Sequence, residues 1–146
     1  MLGALSDVAA PFNALYQSLW SQPHLPPEVL ELCRLRLVQL HRCEVEWQRS
    51  EMELGLEKRP NLARWDISEN ISAAERACLA FTEVYSMDAQ ALTDEQAEAV
   101  KFYFGDAGLV LLIEALGIFD GMTRLCLLWQ LSDHAEPDTA GEKHNG

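Results

Sequence analysis

The chain has 146 residues, 49% of them hydrophobic, and a formal net charge of −12 at pH 7. That length fits one domain large enough to bury a proper core. An acidic chain without a basic stripe is repelled by phosphate backbones and by anionic lipid surfaces, which argues against nucleic-acid and membrane partners. The acidity is concentrated late: residues 28–65 carry seven Lys/Arg against seven Asp/Glu, and residues 66–146 carry four against fifteen.

The opening residues hold Asp7 and no Lys or Arg, so no secretory signal is expected. Over 8–20, Phe12, Leu15, Tyr16 and Leu19 recur at helical spacing. Pro23, Pro26 and Pro27 interrupt that helix, and Pro27 suits the first turn of a second one, where its missing N–H costs nothing. The second helix is expected over 27–41. It is apolar on much of its circumference, as a central element would be. A third is expected over 43–55, with Gly55 as its C′ residue. Residues 56–71, with Pro60 among them, read as a connection.

Two capping boxes follow, in which a side-chain oxygen and a residue three places on satisfy each other's backbone donors. Ser72 to Glu75 opens a helix to about residue 85, and Thr93 to Gln96 opens one to about 104, stopped by Gly105. A long apolar helix over 106–131 carries Gly108, Gly117 and Gly121, whose compensation is expected to be close helix packing. The most apolar run, 109–119, is interrupted by Glu114 and is shorter than a bilayer span requires. After Ser132 the tail is polar and acidic and is expected to be disordered. The fold class predicted is all-α: one domain over 1–131 with six to seven helices, followed by a tail over 132–146.

Cys33, Cys43, Cys78 and Cys126 are widely scattered and no pair has metal-ligand spacing. They read as reduced thiols of a cytoplasmic protein, and no metal or cofactor is expected. The most informative stretch begins at Cys43. A Cys-x-x-Cys-x-x-x-His pattern on a helix supplies an attacking thiol, a resolving thiol and a base; here Cys43, Glu46 and Ser50 hold the three places. Spacings of three, four and seven residues would keep them on one helical face. A carboxylate one turn from the remaining thiol disfavours a second negative charge and cannot resolve a sulfenic acid, so ordinary disulfide cycling is expected to be absent. Cys33, Cys78 or Cys126 could replace the missing thiol only if the fold brings one near; their apolar settings also suit buried structural thiols.

The stretch from Glu31 to Cys43 resembles the opening of the carboxymuconolactone decarboxylase / alkylhydroperoxidase D-like (AhpD-like) family. Glu31 lies twelve places before the motif cysteine and Arg36 five places after that acid, as in the family. Ala63-Arg64-Trp65-Asp66, residues 72–80, and residues 108–128 with Asp120, Met122 and Arg124 resemble its decarboxylase-like branch, so the likeness runs over about 25–131. It implies an all-α bundle assembling as a homo-oligomer, whether dimer, trimer or hexamer. In redox-active members the second motif cysteine attacks a peroxide or disulfide, the first resolves it, and an acid and a histidine relay protons. Glu31 and Cys43 match this set, whereas Glu46 and Ser50 depart from it.

The residues therefore support two classes of function. One is an enzyme, with Glu31, Cys43 and Glu46 as catalytic groups. Glu31 and Glu46 would be an acid–base pair acting on a small organic acid whose carboxylate Arg36 or Arg49 holds, or else Cys43 would be a one-cysteine peroxidase centre of antioxidant type. His41, Trp47 and Ser50, with Arg36, complete the substrate-binding candidates. The other class is a non-catalytic oligomeric binding or scaffold protein that kept the fold and lost the chemistry. For each residue the plainer alternatives are a solvated helix-face charge (Glu31, Glu46), a surface or interface arginine (Arg36), and core aromatics (Trp47, Trp65).

Overall fold

The computed structural model describes residues 6–55 and 57–134. Among them there is no strand, so the all-α class holds. The described residues form five α-helices rather than the six or seven expected: α1 (Ser6–Ser21), α2 (Pro27–Leu40), α3 (Glu44–Gln48), α4 (Ala73–Asp88) and α5 (Asp94–His134). Most of the expected tail, from residue 135 on, lies outside the described residues, and residues 132–134 belong to α5.

The central helix is α2. Its N-terminus has Pro27 inside the first turn, and it buries Val29 to Leu35, Leu37 and Val38 between α4 and α5. The apolar spacing of α1 brings Tyr16 and Leu19 into the same core. Tyr16 meets Phe119 of α5 edge-on at 6.4 Å and Trp20 stacks on Phe119 at 5.9 Å. Gln22 holds the proline-rich corner after α1: its amide donates to the carbonyls of Leu19 and Leu25 at 3.0 and 2.7 Å, while its oxygen accepts from the N–H of Leu25 at 2.9 Å.

Both expected caps are present. Ser72 Oγ accepts from Glu75 N at 3.2 Å at the start of α4, although the Glu75 carboxylate turns to Lys58 instead of closing the box. The second box is complete, with Thr93 Oγ1 accepting from Gln96 N at 3.2 Å and Gln96 Oε1 from Thr93 N at 3.1 Å. The expected stop at Gly105 is real as a break in conformation, φ 69° and ψ −177°, where two helical halves abut at a kink and count as a single element. Two expected helices are therefore one kinked α5, which accounts for part of the lower count. Of the glycines beyond it, Gly108 is closely packed, since a Cβ there would stand 2.4 Å from Phe104 Cβ and 3.4 Å from the His24 carbonyl. Gly121 meets nothing within 4 Å in its own chain, so close packing accounts for only one end of the series.

One expectation about α5 needs correcting. Asp94–Trp129 is long and apolar enough to cross a membrane by length and composition, its most apolar 18-residue stretch having a mean hydropathy of 1.7. The run over 109–119 looked too short because it was cut at Glu114, whereas the helix continues through that residue. Only 33% of its most apolar stretch is buried within the chain, so much of its apolar surface is left to be covered by something else. The buried share (Val100, Leu112, Ala115, Leu116 and Phe119) packs into the core against α2 and α4.

The end of α2 positions Cys43. Arg42 adopts φ 55°, its N–H bonds the Gln39 carbonyl at 3.1 Å, and the Cys43 N–H bonds that of Val38 at 3.2 Å. This is the left-handed C-terminal cap that usually calls for glycine, with the accompanying apolar contact made by Val38 and Cys43. An L side chain in that region costs about 1–2 kcal/mol, offset in part by the chain entropy that glycine would lose on folding. Arg42→Gly is accordingly expected to stabilise the fold by a net of about 0.5–1 kcal/mol, read as a higher urea midpoint. A fall in stability would show that the arginine side chain holds the turn.

Candidate functional site

The three motif positions do not share a helical face. Helix α3 has only five residues, Glu44–Gln48, and Arg49 is extended with ψ 139°. The expected helix over 43–55 fails because its carbonyls are taken by side chains from elsewhere. Arg34 of α2 donates to the carbonyls of Glu46 and Arg49 at 3.1 and 2.7 Å, and Arg59 donates to that of Trp47. In a continuing helix those acceptors would serve the N–H groups of residues 50, 53 and 51. The Glu51 N–H instead reaches Glu31 Oε1 at 3.2 Å. Ser50 is consequently an exposed loop residue, its hydroxyl donating to the Met52 carbonyl at 3.0 Å, and it stands apart from Cys43 and Glu46.

The two carboxylates are brought together, with Arg34 between them. Glu31 is fully buried and takes a two-pronged contact from Arg34, Nε to Oε2 at 2.8 Å and Nη2 to Oε1 at 2.7 Å. Arg34 Nη1 stands 3.6 Å from Glu46 Oε2. The same oxygen accepts from Arg49 Nη2 at 2.8 Å. Arg49 in turn reaches Tyr16 Oη at 3.2 Å and ion-pairs Glu51, and Tyr16 donates to Glu51 at 2.8 Å. Burial raises the Tyr16 pKa, and the hydrogen bond to Glu51 adds to it. For Arg49 burial opposes the charge, but the hydrogen bond to Glu46 leads the contributions that raise its pKa overall. Glu31 and Glu46 thus spend their oxygens inside the protein, and neither lines the cleft beside Cys43 or the one beside Ser50.

The thiol chemistry is better served. Cys43 is buried at the elbow between α2 and α3, in one small cluster with Val38 and with Cys126 from the far end of α5. Cys126 Sγ donates to the remaining Glu46 oxygen, Oε1, at 3.4 Å. Burial, then the hydrogen bond and charge of Glu46, then the neighbouring Cys43, push the Cys126 thiol up to about 12. Cys43 lines a cleft of about 330 Å³ with Val38, Gln39, Arg42, Glu44 and Trp47. A second thiol, from a distant part of the chain, therefore packs beside Cys43. Cys33 and Cys78 are also buried and free but stand in the main core, where burial pushes Cys33 up to about 12.

The substrate-binding candidates divide. Trp47 lines the Cys43 cleft and, with Ser50 and Arg59, a second cleft of about 660 Å³; the Arg59 guanidinium lies 4.8 Å from its ring centroid. Arg36 pairs with Glu83 and not with Glu31. Five residues along a helix it faces another way, donating to Glu83 at 2.7 Å and Gln39 at 2.6 Å, while Trp65 Nε1 donates to the same Glu83 oxygen at 2.7 Å. His41 turns to α5, with Nε2 at 3.1 Å from Asp120 Oδ1, and does not line the Cys43 cleft. Among the described residues no group of three His, Cys, Asp or Glu side chains is placed to hold a metal ion.

No protein-family model matches this chain, and no curated protein matches it. What the site can do is therefore argued from its atoms. The groups that sequence reasoning missed are Arg34, Tyr16 and Glu51; Arg49 entered only as a candidate for holding a substrate carboxylate, and Cys126 only as one of three thiols that the fold might bring near. Arg34 had a signal, since it lies three places after Glu31 on an apolar helix face; Cys126 had none.

Proposed function

We propose that this protein is a thiol peroxidase in which Cys43 is the sulfur that meets a small hydroperoxide, the role that the second motif cysteine holds in redox-active AhpD-like members. The observation that carries this reading is the buried cluster of Cys43 and Cys126, in which Glu46 accepts the Cys126 S–H and Cys43 lines the neighbouring cleft. Acid–base chemistry on an organic acid has less support, because Glu31 and Glu46 are committed to Arg34, Arg49 and the Glu51 amide. The thiolate is the reactive form of cysteine, and a carboxylate held between two guanidinium groups offers a nearby proton acceptor without a net excess of negative charge. The chain then belongs with the AhpD-like resemblance of its sequence, in a cytoplasmic, reducing setting that returns oxidised thiols to the thiol state.

The test is consumption of hydrogen peroxide or cumene hydroperoxide by the full chain with dithiothreitol as reductant. Turnover is expected for the unaltered chain and is expected to vanish in Cys43→Ser. Equal rates in the two, or none in either, would overturn the reading.

The exposed face of α5 favours assembly as well as catalysis. Val110, Ile113 and Leu125 are 56%, 44% and 37% exposed, and Gly117 and Gly121 floor an apolar groove of about 230 Å³ between Phe12, Ile118, Met122 and Leu125. We expect a homo-oligomer that covers this face, seen as a mass above 16.4 kDa in light scattering at micromolar concentration. Val110→Glu is expected to lower the mass. A monomeric unaltered chain would contradict assembly.

A further inference from the structure

We infer that Cys126 is the resolving thiol of this site and that oxidation closes a reversible bridge between Cys43 and Cys126, joining the elbow after α2 to the far end of α5. The inference rests on the thiol reading above and adds the residue and the covalent state that the linear motif does not supply. Three features of the structure carry it. Cys43 and Cys126 pack in one buried cluster with Val38. Of the two, it is Cys43 that lines the cleft of about 330 Å³, so a peroxide in that cleft comes to the Cys43 end of the pair first. Cys126 has its S–H directed at Glu46 Oε1, 3.4 Å away, so its proton has a defined acceptor.

The steps balance. The Cys43 sulfur attacks the distal oxygen of the hydroperoxide ROOH, the O–O bond breaks, and ROH leaves with the thiol proton; Cys43 is now a sulfenic acid. Cys126 then gives its proton to the Glu46 carboxylate and attacks the Cys43 sulfur. The S–S bond forms, the S–O bond breaks, and hydroxide departs as water with the proton held by Glu46. An external dithiol restores both thiols and is itself oxidised to its disulfide. The division of roles follows from charge. A carboxylate hydrogen-bonded to Cys126 keeps that thiol protonated until a sulfenic acid stands beside it, which suits a resolving group and not an attacking one.

The test is a peptide map of the full chain after one equivalent of hydrogen peroxide, alkylated before digestion and run without reductant. A Cys43–Cys126 bridge is expected, lost on adding dithiothreitol. In Cys126→Ala the expected product is a Cys43 sulfenic acid trapped by dimedone, with progressive over-oxidation to the sulfinic acid. In the unaltered chain, a dimedone adduct on Cys43 with no bridge would overturn the resolving role and leave the Cys43 reading standing. A bridge between Cys33 and Cys78 in place of the expected one would also overturn it. No oxidation at Cys43 at all would remove the function proposed above together with this inference.

Discussion

Arg34→Met is expected to cost about 3–5 kcal/mol of folding stability, the usual cost of leaving one partner of a buried ion pair alone. Arg34 is 1% exposed and Glu31 0%, so neither side chain has recourse to water. The substitution would strand the Glu31 carboxylate and remove the donor that serves the Glu46 and Arg49 carbonyls. Methionine fills comparable volume, which keeps the loss electrostatic and not a matter of cavity. Urea denaturation followed by circular dichroism checks the value. The double variant Glu31→Gln/Arg34→Met should recover a substantial part of the loss, because an unpaired charge no longer remains. Strict additivity of the two single changes would show that the groups do not act as a pair.

Gly105→Ala is the second large effect. The break in α5 has φ 69° and ψ −177°, a region that glycine alone occupies readily. No atom lies within 4 Å of a Cβ built there, so the penalty is backbone strain and not a clash. A cost of about 1–3 kcal/mol is expected, read as a lower melting temperature. The kink sets how the two halves of α5 lean on α2 and α4, and the distal half carries Cys126. Slower bridging of Cys126 should accompany the loss of stability if the change also shifts that half. An unchanged melting temperature would mean that the helix absorbs the residue by straightening.

Much of the fold was legible because it rests on local rules. Helical periodicity, the proline entry to α2, the Ser72 and Thr93 caps and the break at Gly105 all act within a few residues of themselves. The site was less legible because it is made by side chains that reach across the chain. The third helix was read as too long because the guanidinium groups of Arg34 and Arg59, which capture its carbonyls, leave no trace in the periodicity of residues 43–55. Arg36 stands out in the sequence by its family spacing from Glu31, whereas helix geometry places the residue three along, Arg34, beside that acid. The expected absence of a partner thiol was a statement about one turn of helix. Cys126 reaches the pocket through tertiary packing of α5, which no spacing rule reports.

The link between Glu31 and the Glu51 backbone has a consequence for how the molecule opens. Residues 49–55 form an irregular surface segment, the kind that ordinarily exchanges its amide hydrogens through small local excursions. The Glu51 N–H is instead tied to a carboxylate in the middle of the central helix, and the Arg49 carbonyl to the guanidinium paired with it. Freeing that loop exposes a charge pair that water cannot reach in the closed protein. Its deuterium uptake should therefore keep pace with the slowest amides of α2, making the loop a late-opening part of the interior in spite of its place at the rim.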